Sequence, residues 1–132
     1  MSVIETHQAV SSTNAAYCKV QLRFMLGDDI ALGTGKAELL AAISETGSIA
    51  AAGRKMGMSY RRAWLLVETM NQCFYEPLVI STKGGKHGGG AQLSALGEQV
   101  LALFRQMLAQ IQQHTITQQQ ELLALLKNQT LP

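Results

Sequence analysis

The sequence predicts a mainly α-helical fold with a small β-sheet, of the α+β class. Apolar residues recur at helical spacing between residues 35 and 71, and again from Ser94 onward. Two short strand-like segments flank a glycine-rich stretch, and one alternating segment lies near the N-terminus. At 132 residues the chain is long enough for one domain with a core of ordinary size and an appended helix.

Composition indicates a globular protein, with 47% hydrophobic and 15% charged residues. The net charge is only +2, but the stretch from Arg54 to His87 holds six basic residues against two acidic ones. No signal-peptide pattern and no apolar run of membrane-spanning length is present, so we expect a cytoplasmic protein. The cysteines Cys18 and Cys73 have no motif spacing and are expected to be reduced, partly buried thiols.

The N-terminal part of the sequence predicts a tail, a strand and a helix. Residues 1–16 are polar and small, and we expect a flexible tail. Apolar residues alternate between Tyr17 and Leu26, which predicts a half-buried strand. A first helix is expected from Gly35 to Thr46, ended by Gly47. Its inward side chains are predicted to be Leu39, Leu40 and Ile43.

Two more helices follow in close succession. Ser48 is placed to cap a helix over Ile49–Met56, which Gly57 ends. Ser59 caps the next, which runs to about Asn71. Spacing places Ala63, Val67 and Met70 on its inward face and Arg61, Arg62 and Leu65 on its outward face. We expect Trp64 to pack between this helix and the strands, and Met56, Met58 and Met70 to be core or turn residues.

The segments Pro77–Thr82 and Ala91–Leu93 predict a β-hairpin whose tip, Lys83–Gly90, is almost entirely glycine and positive charge. Two helices joined by a tight turn, beside a basic hairpin, are typical of a winged helix-turn-helix that binds duplex DNA. We therefore predict a winged helix-turn-helix domain over residues 17–94. Its predicted DNA contacts are Ser48, Ser59, Tyr60, Arg61 and Arg62 from the helices and Lys83, Lys86 and His87 from the wing.

The glycine-rich tip does not match the glycine-rich motifs of nucleotide-binding enzymes. A phosphate-binding Walker loop needs a glycine where Ile80 stands and a serine or threonine where His87 stands. A dinucleotide-binding fingerprint needs a glycine at Leu93. The three histidines are far apart, and no Cys/His cluster has metal-ligand spacing. We expect no catalytic residues, no metal and no cofactor.

From Ser94 the pattern is helical for a long way and predicts a long C-terminal helix over residues 95–132, with a bend or break near Thr115. Its apolar residues form two adjacent stripes, one of Leu96, Val100, Leu103 and Met107 and the other of Leu101, Phe104, Leu108 and Ile111. Together these stripes are too wide for a solitary surface helix, so the helix must pack on the domain, on a second copy, or on both. We predict dimerisation. The interface residues expected are Val100, Leu101, Phe104, Leu108 and Ile111.

Several segments resemble the N-terminal DNA-binding domain of the molybdate-responsive ModE family of bacterial transcription regulators. The similar residues are Gly47-Ser48-Ile49, Gly57-Met58-Ser59-Tyr60, Ala63-Trp64, Met70-Asn71, Gly84 to Ala91, Leu93-Ser94 and Gly97. The similarity covers about Tyr17 to Ile111. Its helix-turn-helix half is shared with LysR-type regulators, whereas the glycine-lysine tip followed by Ala-x-Leu-Ser is far more specific. His87 departs from the family, which usually has glycine there.

The resemblance implies a winged helix domain that dimerises through its C-terminal helix and binds a palindromic operator. Full-length family members carry C-terminal oxyanion-binding domains, for which this chain has no room, so we expect no direct small-molecule sensing. The partners expected are double-stranded DNA and a second copy of the chain, without a membrane. Two other functions fit the sequence: a dimeric protein-interaction scaffold, favoured by the modest net charge, and an oxyanion (molybdate)-responsive regulator.

Overall fold

A computed structural model of the chain describes residues 15–82 and 90–127. These residues form helices and two small antiparallel sheets, which confirms the predicted α+β class. Most of the predicted tail and the wing residues Lys83, Lys86 and His87 lie outside the described residues. In chain order the elements are β1 (Arg23–Leu26), β2 (Asp29–Gly33), α1 (Thr34–Thr46), α2 (Ile49–Lys55), α3 (Tyr60–Cys73), β3 (Val79–Thr82), β4 (Gly90–Leu93), α4 (Ala95–His114) and α5 (Ile116–Ala124).

The described residues divide into two compact units. Residues 21–108 form one unit, which holds both sheets, α1 to α3, and α4 as far as Leu108. Residues 15–20 and 109–127 belong to the other, which holds the end of α4 and all of α5. The predicted division at residues 94 and 95 stays a prediction.

Serine and glycine residues set the boundaries of the three central helices, as predicted. The hydroxyl of Ser48 accepts from the Ala51 amide at 2.8 Å and caps α2. Gly47 and Gly57, which end α1 and α2, have φ of 79° and 74°, a left-handed conformation that favours glycine. The turn after α2 is short, and α3 begins three residues after Gly57.

The core of the larger unit lies where α1, α2 and α3 meet both sheets and α4. The inward residues predicted for α1 and α3 are all buried, which confirms the helical spacing. The largest fully buried side chains are Leu39, Leu40, Ile43, Met70 and Leu78. Met56 and Met58 are half-buried and pack against this core, as predicted for them.

The strand prediction for Tyr17–Leu26 was wrong in extent and in burial. The strand covers only β1, and all four of its residues are exposed. A register shift between Phe24 and Met25 in the pairing with β2 breaks the alternation that would send every second side chain inward. Phe24 still reaches the core at one edge, because its ring lies 6.4 Å from that of Phe104 in a T-shaped contact.

The C-terminal helix is interrupted at Thr115, where the sequence predicts a bend or break. The Thr115 hydroxyl donates to the Ile111 carbonyl oxygen at 2.6 Å, and the Gln119 side chain donates to that hydroxyl at 2.9 Å. Side-chain bonds of this kind compete with the helical backbone and bend it. Two helices, α4 and α5, therefore follow one another on either side of the predicted break.

Candidate nucleic-acid interface

The predicted contact residues Ser59, Tyr60, Arg61 and Arg62 lie together at the start of α3. The Ser59 hydroxyl accepts from the Arg62 amide at 3.1 Å, so the cap and the arginines belong to one turn. All four residues are exposed, whereas Ala63 directly after them is fully buried. Burial of one face of α3 holds the opposite face, with its two guanidinium groups, at the surface of the unit.

Ser48 lies at the start of α2 rather than beside the arginines of α3. It is half-buried, and its oxygen serves as the N-cap of that helix. The capping role is the one that the described contacts account for. A DNA contact from Ser48 stays a prediction.

Trp64 was predicted to be a core residue, and this prediction was wrong. Its side chain is 41% exposed, close to the exposure of Leu65 at 45% and Tyr60 at 55%. The reason is helical geometry, because Trp64 follows Tyr60 by one turn and lies near the outward face. The outward face of α3 therefore carries aromatic and aliphatic surface beside the arginines. The missed signal was the four-residue spacing from Tyr60.

Lys55 contributes less free positive charge than the sequence suggests. Its ammonium group donates to the Glu45 carboxylate in an exposed ion pair. The hydrogen bond and the charge of Lys55 hold the pKa of Glu45 below its usual value. Arg54, Arg61 and Arg62 make no salt bridge among the described residues, so their positive charge remains available at the surface.

The hairpin strands β3 and β4 pair antiparallel in a regular register from Val79↔Leu93 to Thr82↔Gly90, as predicted. Asn71 of α3 joins this hairpin to the helix. Its carbonyl oxygen accepts from the Leu78 and Val79 amides at 2.8 and 3.1 Å, and its amide donates to the Val79 carbonyl oxygen at 3.1 Å. At the other strand, the Ala91 amide donates to the Gly47 carbonyl oxygen at 2.9 Å. These contacts join the hairpin to α3 on one strand and to the end of α1 on the other.

The residues predicted for a dimer interface separate into two groups. Leu101 and Phe104 are 6% and 3% exposed and belong to the core of their own unit, so they present no open surface. Val100, Leu108 and Ile111 are half-buried. The exposed large apolar residues of α4 are instead Leu103 and Met107, at 51% and 40%. Helical spacing alone does not tell which stripe of α4 meets the core.

The described residues show no sign of a metal site or of a membrane-spanning helix. They contain no group of three or more His, Cys, Asp or Glu side chains arranged to hold a metal ion. No helix within them combines the length and the apolar character needed to cross a bilayer. Cys18 and Cys73 are both free thiols. Cys73 is half-buried, as predicted, whereas Cys18 is exposed, so its predicted burial was wrong.

No family model matches the chain, but several curated proteins are similar to it. Over 73 residues, or 55% of the chain, it is 47% identical to the molybdenum-pterin-binding protein MopB of Rhodobacter capsulatus. Over 85 residues, or 63% of the chain, it is 40% identical to the molybdenum transport protein ModE of Azotobacter vinelandii. Over 75 residues, or 57%, it is 43% identical to the DNA-binding transcriptional dual regulator ModE of Escherichia coli K12.

These similarities cover a minor part of each relative. The matched regions span 27%, 32% and 28% of the lengths of the three proteins. The relatives are thus molybdenum-binding proteins and transcriptional regulators that are much longer than the region they share with this chain.

Proposed function

We propose that the chain is a sequence-specific DNA-binding transcriptional regulator of the ModE-like winged helix type, acting as a homodimer. The observation that supports this most is the division of α3 into two faces. Ala63, Val67 and Met70 are buried, while Arg61 and Arg62 open the helix on its exposed side. A helix held in this way presents its N-terminal residues to base edges in a major groove.

Three further features support the same function. The turn between α2 and α3 has the short, glycine-containing form of a helix-turn-helix. The β3–β4 hairpin follows α3 in the chain, at the place of a wing, and is bonded to α3 through Asn71. A relative that is 43% identical over 75 residues is named a DNA-binding transcriptional regulator. In this proposal Lys83, Lys86 and His87 of the wing contact the DNA backbone or the adjacent minor groove.

The proposal is tested by selecting bound sequences from a random pool of duplex DNA, followed by affinity measurements over a range of salt concentrations. A regulator is expected to enrich a palindromic site and to lose affinity steeply with salt, because phosphate contacts release counterions. A protein-interaction scaffold binds no generic duplex at moderate ionic strength. Failure to enrich any sequence, together with absent salt-dependent binding, would exclude the regulator.

The names of the relatives favour a second candidate, a regulator that responds to an oxyanion such as molybdate. Thermal unfolding with molybdate or tungstate tests it, with sulfate as the control at equal ionic strength. A rise in melting temperature that is selective for molybdate and tungstate supports this response. Equal effects of all three ions would contradict it.

A further inference from the structure

A pocket of about 280 Å³ lies beside the first turn of α1, and the proposed DNA contacts account for only one of its residues. It is formed by the start of α1, the β1–β2 pair and the outward side of α3. Its volume lies just below the usual range for ligand pockets, so it has room only for a small ligand. All the residues that line it belong to the unit over residues 21–108.

Three cationic side chains line this pocket: Arg23 of β1, Lys36 of α1 and Arg62 of α3. No acidic residue is among the described residues that line it. The cations come from three separate elements, so the fold and not local sequence brings them together. Three like charges around one small volume repel one another, and an anion between them removes that repulsion.

Lys36 is held in place at this pocket. Its ammonium group donates to the Ile30 carbonyl oxygen at 2.7 Å, which uses one of its three protons. Burial lowers the pKa of Lys36, and the positive charge of Arg62 acts in the same direction. Cys73 and Asp29 act in the opposite direction. A bound anion would stabilise the charged ammonium in this partly desolvated position.

The first turn of α1 supplies unpaired hydrogen-bonding groups at the same place. Gly33, the N-cap residue, has no side chain to accept from the helix amides, and no acidic residue lies in the first turn. The Thr34 hydroxyl oxygen is fully buried, and no described residue bonds to it. Buried hydroxyl groups without a partner are rare in folded proteins, and a bound ion or water is one of the ordinary partners of such a group.

We propose that this pocket binds a phosphate-type oxyanion between Lys36, Arg62 and the first turn of α1. Two sources have this chemistry, a free inorganic ion and a phosphate of the DNA backbone. Binding of a free ion does not depend on the function proposed above, whereas binding of a DNA backbone phosphate rests on that function. Arg62 belongs both to the pocket and to the proposed DNA-contacting turn, so occupancy by a free ion changes the charge available to DNA.

The free-ion source is tested by titrating inorganic phosphate into the whole chain, with chloride added to keep ionic strength constant. Backbone amide NMR signals of Thr34, Gly35 and Lys36 are expected to shift and to saturate. Lys36→Gln retains a donor for Ile30 but loses the charge, so its affinity should fall about tenfold. Thr34→Val should also weaken binding. The control Arg105→Gln removes an exposed positive charge outside the pocket and should leave binding unchanged.

The backbone source is tested by measuring affinity for a selected duplex as salt is varied. If a DNA phosphate occupies the pocket, Lys36→Gln lowers the salt slope by about one, and Arg105→Gln does not.

Saturable phosphate binding in the first experiment, or this slope change in the second, supports the pocket and identifies the source of its oxyanion. If phosphate does not saturate and Lys36→Gln matches Arg105→Gln on DNA, the pocket proposal is overturned while DNA binding stands. Saturable phosphate binding by a chain that binds no duplex would instead uphold the pocket and refute the regulator.

Discussion

The side chain of Asn71 and the backbone of Leu78 are joined by a hydrogen bond of 2.8 Å across the connection between α3 and β3. The same side chain also bonds both backbone polar groups of Val79. The Asn71 amide group thus supplies hydrogen-bond partners to backbone groups that would otherwise lack them at the start of an edge strand. It also links the proposed reading helix to the proposed wing.

Asn71→Ala is expected to lower the free energy of unfolding by about 2–4 kcal/mol, because two partly buried amides lose their acceptor. Urea denaturation measures this directly. Gln72→Ala, one position along on the exposed side of α3, should change stability by no more than about 0.5 kcal/mol. Equal effects of the two substitutions would show that the Asn71 bonds contribute nothing.

Gly97→Ala tests the close approach of α4 to the hairpin. A Cβ at this position would lie 2.2 Å from the Leu78 carbonyl oxygen, which already accepts from the Ser94 amide at 2.8 Å. Backbone must move to relieve that overlap, so we expect a loss of about 3 kcal/mol or more. The matched variant Gly35→Ala meets nothing within 4 Å and should be neutral or slightly stabilising. Thermal melting without added phosphate compares the two, and a tolerated alanine at 97 would contradict the packing.

Arg61→Ala and Arg62→Ala are expected to relax sequence preference, because a bidentate arginine supplies about 1–3 kcal/mol of discrimination between bases. Lys86→Ala should weaken binding to all sequences alike and flatten its salt dependence, since the proposed function assigns Lys86 a contact with the DNA backbone. Affinities for the selected site and for a scrambled duplex, each over several salt concentrations, separate these effects. An equal loss of specificity in all three variants would refute this division of roles.

Trp64 is the one tryptophan of the chain and is 41% exposed on α3, which makes it an internal probe of that face. If α3 enters a major groove, saturating DNA should shield the indole and reduce its quenching by iodide. Fluorescence titration measures this, and free tryptophan mixed with the same DNA is the control. Unchanged quenching on a bound duplex would place the DNA on another face.

Leu103 and Met107 are the exposed large apolar residues of α4 within the larger unit. Leu103→Lys or Met107→Lys is expected to weaken self-association about tenfold or more while the subunit remains folded, because interface anchors are apolar and desolvated. Sedimentation equilibrium measures the association, and circular dichroism confirms folding. Gln106→Lys, an exposed change on the same helix, is the control. Self-association that tolerates both lysines would exclude this face from the dimer interface.

Local sequence signals predicted most of the helices because their causes are local. Ser48, Ser59 and the glycines at 47 and 57 act on backbone groups within one turn, so their roles depend on neighbours in the chain. The inward face of α3 follows from its own periodicity in the same way. The break at Thr115 also has a local cause, since its partners lie four residues away on either side.

Features that depend on packing between distant segments could not be predicted from local sequence. Spacing identified two apolar stripes on α4, but only the folded unit shows that Leu101 and Phe104 face the core and Leu103 does not. The register shift in β1 and the exposure of Trp64 likewise depend on what their neighbours cover. The same is true of the cationic pocket, whose side chains lie on three elements.

By itself, the sequence determined the helix boundaries, the two faces of α3 and the basic character of the region around it, because each depends on residues within a few positions of one another. The tertiary structure alone decided which apolar stripe of α4 is buried, how Asn71 joins the hairpin to α3, and that Lys36 and Arg62 line one pocket. These relationships connect residues far apart in the chain. They arise only when the core has closed and burial has selected one face of each element over the others.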